Sequence, residues 1–246
     1  MSTGEYLATG ITNTETSDQR EDVGVTGRTR DGRLWRYGHN ASVALSSGRN
    51  LSQSTPVANH ASDRVVATGG AAGASSIIVT LGATASTEDY YKNGYLYVND
   101  EGSEGSLYII ATNAATASTG AQTVPIADEG GLTEAITAGT DQVGLIQNLW
   151  EDVVIFPTTF TGASVGLATI NVQADYYFWV LIGGVGPCLA DTAVAVGLGV
   201  MASAAAAGAV DLNDTSSSVD APTIGTCAGM AGVDTEFQLY LFNYAA

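Results

Sequence analysis

Residues 176–191, YYFWVLIGGVGPCLAD, form the longest strongly apolar run in a chain that is otherwise acidic. No charge interrupts the run between Asp175 and Asp191. It reads as two strands, Tyr176 to Ile182 and Pro187 to Ala190, joined by the Gly-Gly-Val-Gly step. Side chains of a strand alternate between the two faces of its sheet. Here both alternating sets are apolar: Tyr176, Phe178, Val180 and Ile182 on one face, Tyr177, Trp179 and Leu181 on the other. A strand that is apolar on both faces is covered on both. One set is expected to fill a sandwich or barrel core. The other set, Tyr177, Trp179 and Leu181, needs a crossing segment of the chain or a second copy, and it is taken as an oligomer interface.

The rest of the chain agrees with strands. Val, Ile, Thr and Tyr suit the pleated surface, and 30 glycines suit frequent turns. SSIIVTLGA (75–83) is a β-branched run, and YYKNGYLYVNDEGSEGSLYIIATN (90–113) reads as hairpins around Asn93-Gly94 and around the acidic turn NDEGSEG. Further strands are expected in 123–128, 142–157, 166–175, 194–203, 208–212 and 235–242. Short strands with turn residues at this spacing indicate an all-β fold, a β-sandwich or β-barrel of jelly-roll type. GGLTEAITAG (130–139) is the one plausible short helix.

Net charge is -17, and it is unevenly spread. Residues 1–64 hold seven arginines and seven acids, so they are neutral; residues 65–246 hold Lys92 against 18 acids and carry the whole excess. This divides the chain into an arm, 1–64, and an acidic β-rich body, 65–246. The arm places Arg28, Arg30, Arg33 and Arg36 within nine residues, with Trp35 and Tyr37 among and beside them. Basic and aromatic residues together suit a solvated loop, a nucleic-acid contact, or an extended arm docked on an acidic protein surface. A chain this acidic repels nucleic acid and anionic membranes, so the docking arm is preferred. Such an arm is disordered in the free protein and removable by protease near residue 65.

Residues 192–210 lack charge and reach the length of a spanning helix. They are rich in Ala and Gly, have no flanking Lys or Arg, and alternate in AVAVGLGV (193–200), which argues for a strand rather than a membrane span. Residues 1–22 are polar and acidic, unlike a signal peptide. The acceptor-type triplets at Asn40, Asn50 and Asn213 are therefore read as chance. Cys188 and Cys227 are too few for a disulfide scaffold or a four-thiolate zinc site and are expected as free buried thiols.

Motifs for chemistry are weak. GASVG (162–166) matches a nucleophile pattern around Ser164, but His39 and His60 both precede it, and no helix follows. NDEGSEG lacks the ligand pattern of a calcium loop. The two histidines have no metal-ligand spacing to either cysteine. No catalytic, cofactor or metal residue is assigned, and the expectation is a non-enzyme.

Taken in order, NGYLYVNDEGSEGSLYII, DYYFWVLIGGVGPCLAD, GLGVMASAAAAGAVD and IGTCAGMAGVDTEFQLYLF resemble, as a pattern of strands and turns, the head decoration (cement) proteins of tailed bacteriophages. The resemblance spans roughly residues 75–246. It implies a structural protein on the outer surface of the virion, binding neighbouring major capsid subunits and its own copies, as a trimer first and a dimer second. It implies no cofactor and no contact with nucleic acid or membrane. The alternative is a carbohydrate- or receptor-binding module of a virion fibre, with Tyr90, Tyr91, Tyr95 and Tyr97 stacking on sugars.

Overall fold

The computed structural model describes residues 6–214, 221–229 and 235–244. Residues 230–234, within the last stretch of the decoration-protein pattern, lie outside the described residues, as do residues 1–5 of the expected arm. The fold is all-β, with two curled antiparallel sheets. Among the described residues no helix is long and apolar enough to cross a membrane.

The chain divides into two compact units, and the boundary is not at residue 64. The first unit comprises residues 1–54 and 150–246, and the second comprises 55–149.

The second unit holds β4 (Arg64–Thr68), β5 (Ser76–Thr80), β6 (Tyr95–Asp100), β7 (Leu107–Ile109), β8 (Ala121–Pro125) and β9 (Gln142–Ile146). They form one sheet in the order β7-β6-β9-β4-β5-β8. A bridge between Ile110 and Ile126, just past the two edge strands, draws those edges together. The edge problem of an open sheet is thereby reduced. Val66, Ile77, Val79, Leu96, Val98, Tyr108, Val124, Val143 and Leu145 alternate along these strands into one buried cluster. The acidic stretch is the expected hairpin turn between β6 and β7, but Asn93-Gly94 is not. It is a turn leading into β6, and no strand directly adjoins it on the other side.

Residues 130–139 do not form a helix. Leu132 and Ile136 are both buried, and their spacing of four imitates a helical stripe. Their backbones are committed elsewhere: Ile136 exchanges hydrogen bonds with Gly70, and Leu132 N–H donates to Ala74 C=O. The buried Asp141 carboxylate accepts from Thr137 N–H at 2.8 Å and Gly102 N–H at 3.1 Å, fixing the following turn.

His60 is also buried in this unit. Its Nε2–H donates to Thr84 C=O at 2.8 Å, and its Nδ1 lies 2.5 Å from the Tyr91 hydroxyl, which donates to it. Burial holds its pKa below the ordinary 6.5; Arg64 acts in the same direction and the Thr84 carbonyl against it. The unfolded chain protonates at the ordinary value and the folded chain only at lower pH. This contribution to stability is therefore complete above about pH 6.5 and declines as pH falls through the folded value. We expect the melting temperature of the second unit to fall on acidification below pH 6.5. Titrating tyrosine circular dichroism against temperature in wild type and His60→Gln checks this. An identical acid slope in the two would contradict it.

The first unit carries β1 (Thr26–Arg28), β2 (Leu34–His39), β3 (Arg49–Ser52), β10 (Val154–Ile155), β11 (Ser164–Ala168), β12 (Tyr177–Leu189), β13 (Gly199–Ala202), β14 (Val210–Leu212), β15 (Gly225–Cys227) and β16 (Phe237–Asn243). The main path runs β10-β3-β11-β12-β16-β15-β13-β14, with the β1–β2 hairpin joined to β12. Gly208 N–H donates to Phe156 C=O at 2.8 Å, linking the segment before β14 to the one after β10. The uncharged stretch 192–210 is a loop leading into β13, then a turn into β14, so the strand expected from Val194 starts only at Gly199.

β12 is the spine of this unit. It is one 13-residue strand, not two strands joined by a turn. Gly184 has φ 101°, a conformation that glycine adopts without strain, so the strand passes through the glycines without turning back. Its first half pairs with β2, from Tyr177↔His39 to Gly183↔Leu34. Its second half pairs with β16, from Gly183↔Asn243 to Leu189↔Phe237.

Candidate docking surface

The expected arm is part of the fold. β1 and β2 are joined by a loop containing Asp31-Gly32, with Gly32 at φ 89°, a dipeptide favoured in hairpin turns. Thr29 Oγ1 donates to Asp31 Oδ1 at 2.5 Å, and Arg33 Nε donates to Oδ2 at 2.7 Å. The Thr29 hydroxyl, followed by Arg33, lowers the Asp31 pKa to about 2, and the exposed carboxylate holds the loop as an anion.

The six arm residues consequently divide. Trp35 and Tyr37 are buried in the first unit's core. Arg33 lies over the Trp35 ring at 5.1 Å, and Arg36 lies over Trp150 at 4.5 Å while donating to Gly24 C=O. Only Arg28 and Arg30 are exposed. Paired β-strands cannot also be a free, protease-labile arm, so the 1–64 division and the docking role of Trp35, Arg36 and Tyr37 are corrected. The sequence signals for this were Asp31-Gly32 and the Trp35/Tyr37 alternation.

The interface assigned to Tyr177, Trp179 and Leu181 is corrected too. Trp179 and Leu181 are 4% and 0% exposed, in one cluster with Trp35, Tyr37, Tyr240 and Phe242. Tyr177 is half-buried, stacked on Tyr37 and on His39. Phe178, Val180 and Ile182 on the opposite face are equally buried. The doubly apolar strand is covered on both faces by its own chain.

An uncovered apolar face exists, but on the other half of β12. Along β16, Gln238, Tyr240 and Phe242 are buried, while Phe237, Leu239 and Leu241 are 56%, 43% and 51% exposed. The register puts Val185 opposite Leu241 and Pro187 opposite Leu239, and directly opposed residues share a face. Val185 and Pro187 are exposed, and Leu34, opposite Gly183, extends the row. No charged residue occupies any outward position of the β12–β16 ladder, in a chain of net charge -17. Single exposed apolar residues are ordinary; a cross-strand group of five or six marks a contact surface. β16 is hydrogen-bonded on both sides, to β12 and β15, so contact is made by side chains and not by adding a strand.

The remaining candidates find structural partners. Ser164 Oγ donates to Asn50 Oδ1 at 2.6 Å, and an amide oxygen cannot serve as the general base a serine nucleophile needs. Cys188 and Cys227 are free and buried, and burial pushes the Cys188 thiol up to about 12. Asn40 and Asn50, in two of the three acceptor-type triplets, are fully buried. Tyr91 is buried, and Tyr90, Tyr95 and Tyr97 are half-buried, with the Tyr97 hydroxyl donating to Ala61 C=O. The four tyrosines therefore do not form the exposed platform that sugar stacking requires. Among the described residues, one group has ligand-type atoms close enough to share a metal ion: His39, Glu151 and Asp152. No protein-family model, curated protein or solved structure matches the chain.

Proposed function

We propose that the protein is a structural component of a bacteriophage virion, decorating and cementing the outer surface of the capsid shell. The exposed apolar face of the β12–β16 ladder carries this reading. Obligate homo-oligomer interfaces are more apolar than ordinary protein surface, and closed symmetric rings are their usual geometry. The face accordingly receives another copy of this chain, and the resemblance to decoration proteins favours a trimer over a shell symmetry axis, with a dimer second. The acidic remainder keeps unrelated copies apart. Major capsid subunits are contacted from the assembled trimer, with the exposed Arg28 at the end of β1 and Arg30 in the hairpin loop as charged contacts. The resemblance of the sequence pattern to that of decoration proteins points the same way.

Heating purified virions assembled with and without the chain tests the role. Shells lacking it are expected to rupture at lower temperature, and adding back purified protein restores the wild-type midpoint. Equal rupture temperatures, or failure of the added protein to bind shells, would reject a cementing role.

A further inference from the structure

We propose that His39, Glu151 and Asp152 form a binding site for one divalent first-row transition cation, zinc in particular. His39 is distant in sequence from the adjacent Glu151 and Asp152, but backbone pairing fixes it beside them. His39 N–H donates to Trp150 C=O at 2.9 Å, Val153 N–H donates to His39 C=O at 3.0 Å, and Ala41 N–H donates to Val153 C=O at 3.1 Å. These bonds hold the end of β2 against both sides of the Glu151-Asp152 turn. His39 Nδ1 lies 2.6 Å from Glu151 Oε1 and 3.7 Å from Asp152 Oδ1. All three donor atoms fall within 4.8 Å of one another, and each side chain is partly buried.

The surroundings of the imidazole resemble those of a metal ligand. Tyr177 stacks on the ring with centroids 4.3 Å apart, and the ring nitrogen Nδ1 is hydrogen-bonded to Glu151 Oε1 at 2.6 Å. Nδ1 is the atom turned to the two carboxylates, and the stacked tyrosine holds the ring in that orientation.

One nitrogen with two carboxylate oxygens suits zinc. Calcium and magnesium prefer oxygen-only shells with more ligands. Donor atoms sharing a tetrahedral zinc ion at ~2.0–2.1 Å lie about 3.3 Å apart. The 2.6 Å Nδ1–Oε1 gap must therefore widen by about 0.7 Å, which the flexible Glu151 side chain permits. In the metal-free chain a proton occupies the gap. Binding exchanges it: the zinc–nitrogen bond forms as the Nδ1–H bond breaks, and the proton leaves to buffer. The fourth position is left to water. This arrangement ties β2 to the Glu151-Asp152 turn by a bond stronger than the hydrogen bond it replaces.

Calorimetric titration of chelator-treated full-length protein with zinc chloride, and separately with calcium chloride, tests the site. Native mass spectrometry supplies the stoichiometry. One zinc per chain is expected, with calcium much weaker. Binding should be weakened about tenfold or more in His39→Gln and in Glu151→Gln. Circular dichroism confirms that each variant is folded; if His39→Gln is not, Glu151→Gln, which leaves the ring in place, carries the test. No saturable zinc binding would overturn the proposal. So would unchanged affinity in the folded variants, or calcium binding as tight as zinc, since either would mean adsorption to an acidic surface.

Discussion

Trp179→Asp is expected to unfold the first unit. Trp179 is 4% exposed, within 5.3 Å of the Tyr37 ring by centroid distance and in one cluster with Trp35 and Leu181. Removing a buried tryptophan costs about 3–5 kcal/mol, and an unpaired carboxylate in its place adds several more. Whole domains are stable by only about 5–15 kcal/mol. Phe178→Asp, on the opposite face, should fail in the same way, because Phe178 is 1% exposed. Near-UV circular dichroism of the two variants checks this. A folded monomer from Trp179→Asp alone would restore Tyr177, Trp179 and Leu181 as a subunit contact.

The contrasting result is expected from the double substitution Leu239→Asp and Leu241→Asp. Both side chains are about half exposed, so the isolated chain should keep its fold and lose roughly 1 kcal/mol at most. In an assembled interface each carboxylate would be buried without a partner. At about 2 kcal/mol or more per charge, the pair weakens association by about 1000-fold. Sedimentation velocity at micromolar concentration should show trimer for wild type and monomer for the variant. A wild-type monomer, or a trimer that survives the double substitution, would remove self-association from the face.

The contrast between these variants shows how far the residues alone lead. Period-2 alternation and turn residues sufficed for the all-β class, because both act locally. They also showed that β12 is apolar on both faces. They did not show which segment pairs with its first half, since that neighbour is β2, more than 130 residues earlier, and pairing between distant segments leaves no local trace. The arginine cluster hid that partner. Counting charge separated residues 1–64 from the rest, whereas Asp31-Gly32, the Trp35/Tyr37 alternation and two cation–π contacts belong to a hairpin in the core. The exposed row on β16 was legible in principle: TEFQLYLF alternates Phe237, Leu239 and Leu241 against Gln238, Tyr240 and Phe242. Deciding which set meets solvent required the buried cluster around Tyr240. The His39 group was invisible because the nearer carboxylate, Glu151, lies 112 residues along the chain.

A cryo-electron microscopy reconstruction of virions carrying this chain tests the docking surface most directly. Density for the chain is expected on the outside of the shell, around symmetry axes, with Phe237, Leu239 and Leu241 buried against a neighbouring copy and Trp179 enclosed within its own chain. Shells without such density, or copies whose β16 face points to open solvent, would contradict the proposed role.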